Sequence, residues 1–311
     1  MKTNIDEPCA GNLQARFFRG SCSNKTQTRG VKLQLLPNNL TTINCTLFVV
    51  ITYFLTCIIA WCLPFKDITL LTTFVPASVA ILLTIYNKQK VRDLFKLSSP
   101  KNCLLGFILI LVSMLISNGL LSIYCGFSFF RESFTLDRVK DLSAVLSPLV
   151  MLFVLLSTFV MWIIMSLGEE IGWRGYLLKN LKSKISNFYI RAIIVGIIWS
   201  VWHIPTYVVA GSALWKDGFT FPTICAYTLY ICAMSIMFTW LFEKDNSIWP
   251  VTIAHATNNL VYSVLSILMP SPPLSTFDAV IRLTLGAAGY FIVAIGVIWF
   301  DKARERHLSN S

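Results

Sequence analysis

Residues 142–178 read LSAVLSPLVMLFVLLSTFVMWIIMSLGEEIGWRGYLL, an apolar run whose charges are Glu169, Glu170 and Arg174, all near its end. As one helix it would be roughly 55 Å long at 1.5 Å per residue, against a bilayer core ~30 Å thick. The start of the run is therefore expected to form a separate interfacial helix, with the Glu-Glu motif deeper than a helix end. A charged group at bilayer depth costs ~2.5–3.5 kcal/mol on insertion scales, so three within six residues need a chemical reason.

The rest of the chain fits a membrane solvent. Of 311 residues, 55% are hydrophobic and 13% charged, with a mean hydropathy of +0.67. Soluble domains carry ~25% charged residues, so a water-facing domain is excluded. A net charge of +11 would suggest nucleic acid for a soluble protein. Here the excess Lys and Arg instead mark cytoplasmic loops, and the expected partner is the lipid bilayer with no nucleic acid. Nine cysteines show no CxxC and no zinc framework, and most lie in apolar segments as small hydrophobes.

The expected fold is all-α: a polytopic integral membrane protein of about eight transmembrane helices around an intramembrane polar site. A spanning helix needs ~20 mostly apolar residues. Spans are placed at 44–63, 68–86, 103–125, 146–167, 191–209, 222–242, 249–269 and 280–300. Lys88, Lys90, Arg92, Lys96 and Lys101 follow the second span, and Lys179, Lys182, Lys184 and Arg191 the fourth. Loops 126–142 and 270–279 are charge-balanced or nearly uncharged, so both termini are expected to be cytoplasmic. Residues 1–42 form a polar, largely disordered cytoplasmic arm without a signal peptide. Residues 43–142 form helices without motifs, 143–300 the polar core, and 301–311 a basic cytoplasmic tail.

Three polar elements lie inside the apolar segments. In a helix, Glu170 and Arg174 are four apart and share a face, and a dry interior makes either one expensive unpaired. Glu169 points elsewhere and remains as the candidate general base. The second element is Trp199-Ser200-Val201-Trp202-His203-Ile204-Pro205, where His203 shares a face with Trp199 and Pro205 is expected to kink the span. The third is His255-Ala256-Thr257-Asn258-Asn259, and spacing alone does not choose between the two asparagines. Each element alone is as readily structural, since membrane His and Asn side chains often bond neighbouring helices. Together they read as a site.

Glu169-Glu170-x-x-x-Arg174, Trp199-x-x-x-His203 and His255-x-x-x-Asn259, in this order, resemble the three motifs of the CAAX-protease and bacteriocin-processing family (CPBP, or Abi). The resemblance covers about residues 145–265. One departure is visible: Trp199 stands where the family's second motif usually begins with Phe, read here as one aromatic for another. The resemblance implies an intramembrane endopeptidase, acting on a membrane-associated or lipidated peptide. Glu169 and His203 would hold and activate a water, His255 and Asn259 would donate to the oxyanion, and Glu170 and Arg174 would brace the first motif. It also suggests a bacterial plasma membrane. No cofactor is expected, and a divalent metal such as zinc on Glu169, His203 and His255 is the alternative. The rival function is a non-enzymatic membrane protein, a bacteriocin immunity factor or transporter that uses the same polar core for binding. A transporter commonly shows internal repeats, and none is seen between the halves.

Overall fold

A computed structural model describes residues 24–62, 71–125, 147–210, 220–268 and 275–309. The described residues are mostly helical, with no strand among them. The helices are α1 (Asn24–Cys62), α2 (Val75–Tyr86), α3 (Pro100–Cys125), α4 (Pro148–Glu170), α5 (Phe188–Ala210), α6 (Phe221–Glu243), α7 (Trp249–Leu268) and α8 (Thr276–Ser309). The chain divides into two units, Met1–Asn44 and Cys45–Ser311. Every contact described below lies within the second.

Among the described residues, six helices are long and apolar enough to cross a membrane: Thr41–Cys62, Pro100–Cys125, Pro148–Lys182, Phe188–Val208, Phe221–Glu243 and Thr276–Leu308. Two of the eight expected spans fall short of that standard. Helix α2 has 12 residues and rises about 18 Å, too little for the bilayer core. Helix α7 is long enough at 20 residues but carries Thr252, His255, Thr257, Asn258 and Asn259, which dilute its apolar character. Helix α1 begins at Asn24, inside the stretch expected to be disordered. Residues 1–23, loop 126–142 and the first half of loop 270–279 lie outside the described residues.

The long apolar run does not begin with a separate interfacial helix in its described part. Ser147 caps α4 by accepting from the Val150 N–H at 3.4 Å, and Pro148 occupies the first turn. From there the run is continuously helical to Lys182, 35 residues in all. Near its end the run changes pitch. Ile171–Leu178 form a π-helical segment, followed by one α-turn at Lys179–Lys182. Such i→i−5 segments are rare and concentrate at functional sites. Pro205 lies inside helix α5.

Helix α6 is the central post, with 72% of its apolar span buried against 11–39% for the other five. It packs on α5 and α8, while α7 lies against α3 and α4. Outer faces are apolar, as on α4 with Leu149, Phe153, Leu156 and Val160 exposed, which suits lipid. Buried hydroxyls of Thr84, Ser113 and Thr257 donate to the carbonyl four residues back, so they bring no unsatisfied group into the core.

Charges gather at one end of the bundle. Arg191 at the start of α5 pairs with Glu243 at the end of α6 at 2.7 Å, with Lys182 at 3.6 Å from the same carboxylate. Lys244 pairs with Asp301 of α8 at 2.9 Å. Glu170 lies 12 residues before Lys182, and His203 lies 12 after Arg191. At 1.5 Å per residue His203 sits roughly 18 Å along α5 from this charged end, and Glu170 somewhat less far because eight of its twelve intervening residues have the shorter π rise.

Two glycines bring α2 against the motif. A Cβ on Gly168 would meet the Thr73 carbonyl oxygen at 2.7 Å, and one on Gly172 would meet Pro76 Cβ at 2.4 Å and its carbonyl carbon at 2.8 Å. Four-residue spacing of small residues is the membrane device for backbone contact. Gly172→Ala is therefore expected to destabilise the protein by about 1–3 kcal/mol, seen as a lower melting temperature in detergent. The control is Gly119→Ala in α3, where an added Cβ meets nothing within 4 Å and the melting temperature should stay at the wild-type value.

Candidate active site

Helix α4 and the π-segment carry the first motif into the core, and the two adjacent carboxylates find different surroundings. Glu170 and Arg174 are fully buried. Arg174 Nη1 donates to both Glu170 oxygens, at 3.1 Å to Oε1 and 3.0 Å to Oε2. His255 Nδ1 donates to the same Oε1 at 2.9 Å. Arg174 Nη2 reaches Ser235 Oγ of α6 at 3.3 Å, and that hydroxyl donates onward to the Ala192 carbonyl of α5 at 2.8 Å. The guanidinium also stacks over Trp199 at 4.6 Å and Phe238 at 5.0 Å, measured to the ring centroids. A charge at this depth is tolerable only when paired and bonded in this way.

Glu169 faces a different partner. Its Oε2 accepts from the Trp199 indole N–H at 2.7 Å. Among the described residues, no protein donor is seen on its Oε1. Glu170 is thus bonded through both oxygens, and Glu169 keeps one oxygen open.

The two histidines present the same nitrogen. His203 Nδ1 donates to the Trp199 carbonyl at 2.8 Å, and His255 Nδ1 is held by Glu170. Each neutral ring therefore carries its proton on Nδ1 and offers Nε2 as an acceptor. His203 is enclosed by rings: Trp202 at 4.8 Å, Tyr227 at 5.7 Å and a stacked Tyr207 at 5.8 Å. The Trp199 ring lies 5.9 Å from His203 and 5.2 Å from His255, between the second and third motifs.

The two asparagines are bonded differently. Asn258 Oδ1 accepts from Tyr230 at 3.3 Å and from Tyr290, while Asn258 Nδ2 donates to Asn259 Oδ1 at 3.1 Å. With its carbonyl so occupied, Asn259 is left its amide N–H groups to offer a ligand. Asn258 is the brace, and Asn259 is the half-buried side chain with donors to spare.

Glu169, Glu170, Arg174, Trp199, His203 and His255 are thus linked through direct contacts. Asn259 joins them only through α7, with no direct bond to His255 among the described residues. Glu169, His203 and His255 all surround Trp199, but no group of three His, Cys, Asp or Glu side chains arranged to hold a metal occurs among the described residues. The residues as arranged do not fit a three-ligand zinc centre. Ser235, Tyr230 and Tyr290 were not singled out by the sequence, since each is an ordinary residue on an apolar helix. A buried Arg with five N–H donors was the available signal that further acceptors such as Ser235 must exist.

Part of the chain, including the three motifs, is similar to known proteins. Residues 151–261 match the family described as Type II CAAX prenyl endopeptidase Rce1-like. The chain is 30% identical over 164 residues to CAAX prenyl protease 2 of Methanococcus maripaludis, covering 50% of each protein. It is 31% identical over 134 residues to Lysostaphin resistance protein A of Staphylococcus epidermidis, covering 42% of this chain and 31% of that one. The protein of the same name from Staphylococcus haemolyticus is 30% identical over 139 residues, with 44% and 34% covered. The chain thus spans about half the length of the first relative and about a third of the others. The matched segment holds every motif residue from Glu169 to Asn259. Residues 151–261 of this multi-pass integral membrane protein thus match the Rce1-like CAAX prenyl endopeptidase family.

Proposed function

We propose that this chain is an intramembrane endopeptidase that hydrolyses a peptide bond in a membrane-associated or lipidated peptide. The observation that carries the reading is the unequal state of two neighbouring carboxylates. Glu170 is neutralised by Arg174 and His255, whereas Glu169 keeps an open oxygen. A general base needs a carboxylate oxygen not already held by a protein donor, and of the two only Glu169 has one among the described residues.

In this reading, Glu169 Oε1 and His203 Nε2 hold a water between them. Glu169 takes one proton as the water oxygen bonds to the peptide carbonyl carbon. The carbonyl oxygen becomes an oxyanion, met by the Asn259 amide N–H. His255 adds a second donor through Nε2 only in its protonated form, because Nδ1 already donates to Glu170. Collapse of the intermediate breaks the C–N bond, and Glu169 returns its proton to the leaving amine. Glu170 and Arg174 brace the motif throughout. No step passes through a metal.

The basic end of the bundle supports a cytoplasmic position for that end under the positive-inside rule, with both termini on that side. A bacterial plasma membrane fits the likeness to the staphylococcal proteins. A second reading, a resistance or immunity factor that binds without cutting, is favoured by the name those two relatives carry, Lysostaphin resistance protein A.

Purified protein in liposomes should cleave quenched peptides with a lipid anchor in preference to the same peptides without one, and a chelator should leave the rate unchanged. Wild type that cuts no peptide would move the reading to the resistance factor. Glu169→Gln should fold with a melting temperature near wild type and lose about 10²–10⁴ in rate. Glu170→Ala should instead fail through stability. It strands Arg174 in the core at a cost of about 3–5 kcal/mol, so little folded protein should survive size-exclusion chromatography. Asn259→Ala should retain the fold and lose about 10²–10³ in kcat, as expected for one oxyanion donor.

A further inference from the structure

Trp199 occupies a position where the resembled motif usually has Phe, and the exchange is not one aromatic for another. Three separate parts of this residue touch the polar centre. Its backbone carbonyl accepts from His203 Nδ1 at 2.8 Å. Its ring face carries the Arg174 guanidinium at 4.6 Å. Its indole N–H donates to Glu169 Oε2 at 2.7 Å. A Phe ring could supply the first two contacts and never the third.

We infer that Trp199 is the positioning residue of Glu169: its indole N–H holds Oε2, which turns Oε1 toward the water-binding side. The geometry leaves little freedom for another role. Trp199 is only 1% exposed, so its N–H is not a surface donor awaiting solvent. The carboxylate it meets is 5% exposed and has no other protein donor on either oxygen among the described residues. Without the indole, the terminal carboxylate torsion of Glu169 would be broad and roughly two-fold. The two oxygens would then exchange places, and neither would be held toward His203. The bond also splits labour between the adjacent glutamates. Arg174 fixes Glu170 from one side of the indole plane, and the indole edge fixes Glu169. One side chain therefore sets the geometry of both.

This inference rests on the endopeptidase reading for its kinetic consequence but not for its contact, and two measurements separate them. Trp199→Phe keeps the ring over Arg174 and the backbone bond to His203. It should lower kcat by about 10- to 100-fold, the worth of a hydrogen bond to a charged group, with KM within about twofold. A purely structural role would move the melting temperature and leave kcat per folded molecule unchanged, and that result would overturn the proposal. Indole-¹⁵N labelling of the nine tryptophans reports the contact without any turnover. In Glu169→Gln, one indole N–H resonance should shift, the one that disappears in Trp199→Phe. Those of Trp162, Trp202 and Trp240, which donate to Ser263, Thr56 and Asp301, should stay in place. If Trp199→Phe does not fold, the Glu169→Gln spectrum against wild type still decides. No shifted indole would sink the inference, whatever the protein cleaves. A shifted indole in a protein that cleaves nothing would uphold the contact and remove the endopeptidase reading.

Discussion

The buried pairing of Arg174 with Glu170 is the constraint on which the centre of this protein depends. Neither side chain has any exposure, and in a medium without water neither could remain charged alone. Satisfying the guanidinium recruits four elements at once. Glu170 comes from α4, Ser235 and Phe238 from α6, and Trp199 from α5, while His255 of α7 closes on the same carboxylate. Helices that have no hydrophobic reason to prefer one another in lipid are given a specific one by these polar contacts. The most expensive residue in the sequence thus fixes the packing register of the bundle.

That register is delivered by an unusual backbone. The 35-residue helical run changes from α to π pitch at Ile171, directly after Glu170, so Arg174 lies within the π segment. The tight glycine contacts at positions 168 and 172 hold the segment from outside while Arg174 holds it from within. Aromatic packing adds a further wall, with Phe48 of α1 edge-on to Trp173 at 5.6 Å. The π geometry lies within this enclosure, where its neighbours over-determine it.

Much of this was legible in the sequence because charge is so conspicuous in an apolar chain. Glu169, Glu170, Arg174, His203 and His255 stood out on composition alone, and the i,i+4 pairing of Glu170 with Arg174 follows from helical spacing. The long spans were equally plain. What the sequence hid were features carried by ordinary residues or by tertiary geometry. Helix α2 looked like a span because residues 68–86 are apolar, yet its described helix has only 12 residues. The π-segment has no composition of its own. Tyr290 and Tyr230 look like membrane aromatics until their hydroxyls meet Asn258, and only that contact separates Asn258 from Asn259. Trp199 was read by its ring, whereas its N–H is what distinguishes it from Phe.

The backbone contact between α2 and the first motif also restricts traffic. Where a glycine Cα faces a proline carbonyl with no room for a methyl group, there is no seam for an acyl tail or an extended peptide to part. That flank is a sealed hull. His203 and Asn259 are partly exposed, and Tyr262, on the same helix as Asn259, shows 48% of its surface. The polar centre is thus walled on the α2 side by backbone contact and open on the side of α5 and α7 where these side chains show.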